Sequence, residues 1–153
     1  MEQSGPKGLR GSAPARIDDK GRLKVPTIFR GVIHDQPGPD VFVTSLTGEC
    51  VRIYPLQVWL GVEERLSRMP NQHPARQKFL DRVNYYGQMG ELDQQGRVSI
   101  PPHLRESASI VGDVRVVGRI DHIEVWNEDR FVQKLQRETW TDDDGMRLSE
   151  HGI

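Results

Sequence analysis

"DDKGRLKVP" at residues 18–26 returns as "DQQGRVSIP" at residues 93–101. Sliding the chain on itself by 75 residues pairs Ile17 with Leu92, Asp18 with Asp93, Gly21 with Gly96, Arg22 with Arg97, Pro26 with Pro101 and Arg30 with Arg105. With a small slip in register the match continues. "VFVTS" at 41–45 answers "VRVVG" at 114–118, and "VRIYPLQVW" at 51–59 answers "IEVWNEDRF" at 123–131. The chain is therefore a tandem repeat of one unit, and whatever explains the unit must explain both copies.

Local chemistry within the unit is direct. Leu23 and Val25 alternate with Arg22 and Lys24, the period of a half-buried strand, and Val98 and Ile100 repeat it. The Asp-x-x-Gly before each strand predicts a hairpin tip, because glycine permits a positive φ and aspartate can accept bonds from the turn's own amides. Pro26 and Pro101 cannot donate to a sheet ladder and suit the first turn of the short helices "PTIFRG" and "PPHLRES". A second hairpin follows in each copy, with Val41 to Val43 and Val51 to Ile53 around "SLTGE", and Val114 to Val117 and Ile123 to Val125 around "GRIDH". Trp59, Val62, Leu66 and Met69 predict a helix by their spacing. Asn127 offers the cap of another, carrying Phe131 and Leu135. Between the copies, "ARQKFLDRVNYYG" predicts an amphipathic linking helix that ends at Gly87.

Composition excludes several classes of function. The 153 residues, 35% of them hydrophobic, allow one core or two small halves that share one. No apolar run approaches the roughly 20 residues that cross a bilayer, and "MEQSGPKGLRG" lacks the apolar stretch of a secretory signal, so a cytoplasmic protein without a membrane partner is expected. Cys50 stands alone and predicts a small buried thiol; the five histidines are scattered, so neither a metal nor another cofactor is expected. The chain has no nucleophile with a base at motif spacing, no phosphate-binding glycine loop and no carboxylate pair apart from the turns. Neither an enzyme nor a small-molecule substrate is expected.

A formal net charge of −1 conceals a large asymmetry. From Lys7 to Arg30, seven basic residues face only Asp18 and Asp19, whereas Met89 to Arg105 is neutral and the stretch from Glu138 to Ile153 is acidic. Arg22 sits amid Arg16, Lys20 and Lys24, a field that attracts phosphates; Arg97 has Gln94, Gln95 and Ser99 around it. Asp93, Gly96 and Arg97 are thus expected to be a structural turn. The same structural role is open to the first tip, with the arginine pairing to a carboxylate.

The paired D-x-x-G-R motifs, each followed by an apolar-x-apolar-Pro strand end and a Phe-Arg or Leu-Arg step, resemble the MraZ family of bacterial transcriptional regulators, over about residues 9–138. The resemblance implies an α+β, mostly β fold: two tandem AbrB-like swapped-hairpin repeats forming one pseudo-twofold, β-barrel-like domain with flanking helices. Its expected parts are a first repeat at 9–69, a linking helix at 75–87, a second repeat at 89–138, and flexible ends at 1–8 and 139–153. It also implies a ring-like homo-oligomer that is nucleoid-associated and binds short repeated sites in double-stranded DNA upstream of the division and cell-wall gene cluster. DNA contact carries over to Asp18, Lys20, Gly21 and Arg22, to which local charge adds Arg16 and Lys24. The alternative is an antitoxin-like interaction module of the same fold, with residues 138–153 as its partner-binding segment.

Overall fold

The computed structural model describes residues 8–36 and 38–153. Apart from Gly8, the expected flexible start lies outside the described residues. The first copy supplies β1 (Ser12–Arg16), β2 (Arg22–Lys24), α1 (Thr27–His34), β3 (Asp40–Thr44), β4 (Val51–Pro55) and α2 (Leu56–Ser67). Helix α3 (Pro74–Tyr85) links it to β5 (Gln88–Glu91), β6 (Arg97–Ser99), α4 (Pro102–Ser107), β7 (Asp113–Gly118), β8 (Ile123–Asn127) and α5 (Glu128–Arg137). Helix α6 (Asp142–Ser149) follows.

Six strands form one antiparallel sheet in the order β1-β7-β8-β4-β3-β5, and β2 pairs with β6 in a separate ribbon. Exchanging each strand for its counterpart in the other copy reverses this order onto itself. The first strand of each copy joins the hairpin of the other, β1 against β7 and β5 against β3. Registers place the symmetry: Leu23 faces Val98 in the ribbon and Arg52 faces Glu124 where the two hairpins meet. Each of these residues faces its own repeat counterpart, as a twofold axis through both pairs requires.

The sheet does not close into a barrel, which corrects the barrel-like expectation. β2 and β6 leave to pair with each other, so no described strand bridges the edges β1 and β5. Pro14, in edge strand β1, lies where a missing N–H is tolerated. Both copies still share one core, in which Leu23, Phe29, Val43 and Ile53 pack with Val98, Leu104, Val116 and Val125. On the other sheet face, Phe42, Tyr54, Trp59 and Val83 make a second cluster with Phe79 against it. Trp59 stacks on Phe42 with ring centres 4.7 Å apart, and the Thr44 hydroxyl donates to the Val83 carbonyl at 2.6 Å, fastening α3 to the sheet.

Predicted caps and thiol are where the residues put them. Asn127 Oδ1 accepts the Arg130 N–H at 3.0 Å, and Cys50 is buried, its thiol pushed up to about 12 by that burial. Residues 139–153, expected as a flexible end, carry α6. Its capping box is complete: Thr141 Oγ1 accepts the Asp144 N–H at 3.1 Å and the Asp144 carboxylate accepts the Thr141 N–H at 3.0 Å.

Candidate nucleic-acid interface

Each Asp-x-x-Gly-Arg segment ties itself into a closed turn. Asp18 Oδ1 accepts the N–H groups of Lys20 at 3.0 Å and Arg22 at 2.9 Å, while Oδ2 accepts Arg22 Nε at 2.8 Å. The second tip repeats this atom for atom: Asp93 Oδ1 takes the N–H groups of Gln95 and Arg97 at 2.9 and 2.8 Å, and Oδ2 takes Arg97 Nε at 3.0 Å. These bonds hold both carboxyls below the ordinary carboxylate range, chiefly through the backbone N–H groups of Arg22 and Arg97. Both arginines are consumed only at Nε. Their side chains are 30% and 28% exposed, and their Nη groups have no partner among the described residues.

The tips also brace one another. Val25 N–H donates to the Gly96 carbonyl at 2.8 Å, and Ile100 N–H to the Gly21 carbonyl at 3.0 Å. The Arg105 guanidinium lies over Gly21 and Arg30 over Gly96, each anchored through Nε to a strand-end carbonyl, Ile100 at 2.9 Å and Val25 at 2.7 Å. A Cβ on Gly21 would stand 2.5 Å from Arg105 Cζ, and both glycines have a positive φ, +80° and +77°. A side chain there would strain the backbone and push the clasping arginine aside. Arg30 and Arg105 matched in the repeat, but their clasping role needs the exchange of strands to become visible.

The ribbon register decides what is presented outward. Arg22 faces Ser99, Leu23 faces Val98 and Lys24 faces Arg97. Leu23 and Val98 enter the core, so Arg22, Lys24, Arg97 and Ser99 share the opposite face. The structure thus brings Arg22, Lys24 and Arg97 together and sets Lys20 at the adjoining tip. Asp18 and Gly21 serve the turn. Arg16, at the end of β1, pairs with Asp113 at 3.1 Å between two exposed side chains, a pairing that water screens. Lys20 and Lys24 have no ion-pair partner among the described residues. The two tips differ in their neighbours and not in their turn geometry: Lys20 and Lys24 in one correspond to Gln95 and Ser99 in the other.

Shape and charge here suit a polyanion with a groove. A two-stranded ribbon fits the major groove of B-DNA, where an arginine fork can pair with guanine and lysines can reach phosphates. Among the described residues no helix is long and apolar enough to cross a membrane, and no three acidic, histidine or cysteine side chains gather as a metal ion would need.

Comparison with known proteins agrees with the doubled unit. The family model described as "MraZ protein, putative antitoxin-like" matches residues 9–82 and 88–146. The chain is 49% identical over 145 residues to a protein of Acidobacterium capsulatum named "Transcriptional regulator MraZ", covering 95% of this chain and 99% of that one. A protein of the same name from Koribacter versatilis is 43% identical over 146 residues, with 95% and 99% covered. The namesake in Syntrophobacter fumaroxidans is 35% identical over 120 residues, with 78% and 79% covered. The chain belongs to the MraZ family.

Proposed function

We propose that this chain is a sequence-specific, DNA-binding transcriptional regulator, acting in the cytoplasm on the nucleoid at the bacterial division and cell-wall gene cluster. The relatives' names support a regulator of transcription. The observation that carries DNA contact is the exposed ribbon face, where Arg22 and Lys24 stand beside Lys20, which has no ion-pair partner among the described residues. In this reading the two copies are AbrB-like swapped-hairpin units, supported by the exchange of β1 and β5. Arg22 reads a base, Lys20, Lys24 and Arg16 hold phosphates, and Asp18 and Gly21 set the turn that aims them. Asp93, Gly96 and Arg97 brace the tip from the second copy. One ribbon binds weakly. A ring-like homo-oligomer on short repeated sites makes each later contact effectively intramolecular, so affinity and selectivity come from the array.

Selection of bound fragments from random double-stranded DNA tests this reading. A short repeated sequence should emerge, with an affinity that falls steeply as salt rises. No enrichment, or binding indifferent to salt, would sink it. Lys20→Ala should weaken binding to all sequences alike and flatten the salt dependence by about one phosphate contact, since a flexible ammonium is better suited to phosphate than to a base edge.

A further inference from the structure

Helix α6 is well capped, yet none of its residues is buried. Trp140, Met146 and Leu135 are 69%, 68% and 59% exposed. Leu135, Trp140 and Leu148 line an open groove between α5 and α6 of about 860 Å³. Apolar surface gathered in this way marks a contact surface. The repeat shows what is missing, for α6 follows α5 as α3 follows α2. α3 is covered by its own chain: Phe79 stacks on Trp59 and Val83 is buried beside Phe42. α6 has no comparable seat.

Charge selects the seat on another molecule. Residues 138–150 carry five carboxylates against the single cation Arg147. Two apolar grooves elsewhere on the chain could take such a helix. One, beside Leu9, Val58 and Ile120, is rimmed by Asp35 and Asp121 and repels it. The other, of about 480 Å³, is floored by Leu46 and Phe79 and rimmed by Lys78 and Arg82, cations without ion-pair partners among the described residues. We infer that α6 and the α5–α6 groove of one copy dock on the Lys78–Phe79–Arg82 face of a second copy of this chain. The contact joins two different surfaces, so it runs head to tail, the kind of contact from which a ring is built when the rotation between copies closes. It rests on the homo-oligomer proposed above and names its interface.

Light scattering on the full chain and two variants tests it: Trp140→Ser with Leu148→Ser, and Lys78→Glu with Arg82→Glu, folding checked by circular dichroism. At micromolar concentration the unaltered chain should weigh several copies and each variant alone one copy. An equimolar mixture of the variants should weigh two copies, because one intact α6 then meets one intact α3 face. If the unaltered chain weighs one copy, the oligomer itself fails and this interface with it. If the unaltered chain is oligomeric but either variant keeps its mass, or the mixture does not pair, this interface is overturned and the oligomer stands.

Discussion

Arg22→Ala is expected to remove most DNA binding, and Arg97→Ala to leave affinity nearly intact. The two arginines have the same brace, the same partners and nearly the same exposure, so local geometry predicts no difference between them. Any difference must come from what surrounds their Nη groups. Around Arg22 stand Lys20 and, along the strand, Lys24, which can hold a phosphate backbone while the fork meets a base. Around Arg97 the corresponding places hold Gln95 and Ser99. Losing Arg22 should cost roughly 1–3 kcal/mol per contact, repeated across the subunits that touch DNA. Losing Arg97 should lower the melting temperature only modestly, because a partly exposed brace is partly replaced by water. Across the ribbon Lys24 faces Arg97 and Ser99 faces Arg22, so Lys24 is shared by both arginines and the comparison rests on Lys20 against Gln95 at the tips. Gel shifts of both variants at two salt concentrations, with thermal melts, separate loss of contact from loss of fold. Equal losses of affinity would mean that the ribbon is read as one symmetric surface, and the asymmetric-tip reading would fail.

Much of the fold was legible because the repeat wrote each feature twice. The tips, the strands after them, the second hairpins and the linking helix all followed from alternation, glycine and proline. Pairing was not legible. Alternation says that Leu23 faces inward, and nothing local says that it meets Val98 and not a strand of its own copy. The hairpin tips implied a strand before each turn, but "SAPAR" and "QMGE" carry no large buried apolar residue to say which hairpin they join, and β1 and β5 are held at the sheet edges by backbone bonds to β7 and β3. The sharing of one ribbon face by Arg22, Lys24 and Arg97 depends wholly on that exchange. Arg30 and Arg105 were visible as a matched pair but their clasp was not, since each closes over the other copy's glycine. α6 did have a local signal, Thr141 followed three residues later by Asp144, hidden inside a stretch whose acidity pointed to a solvated end.

Replacing Glu124 should reveal where the two copies are joined. Its carboxylate lies on the sheet face away from the shared core, 9% exposed, opposite Arg52 in the register that couples the two hairpins. Trp126 Nε1 donates to it at 2.9 Å, Arg119 approaches at 3.0 Å, Arg52 at 3.5 Å and the His122 ring at 3.7 Å. Burial alone would raise its pKa; the contacts of His122, Trp126 and Arg119 outweigh it and hold the carboxyl at about 2. A carboxyl lowered on folding stabilises the folded chain above its unfolded value of 4.5, and that stabilisation is lost as pH falls from there toward about 2. Glu124→Gln keeps the shape and an acceptor for Trp126 but leaves Arg52 and Arg119 uncompensated, at a cost of about 3 kcal/mol near neutral pH. The difference from the unaltered chain should shrink steadily below pH 4.5, because there the unfolded chain takes up a proton that the folded carboxyl, held at about 2, does not. Denaturant melts at about pH 7, 4 and 3 measure it. A difference that stays constant across that range would show that the charge of Glu124 does not hold the hairpins together, and that packing around Trp126 and Tyr54 carries the junction alone.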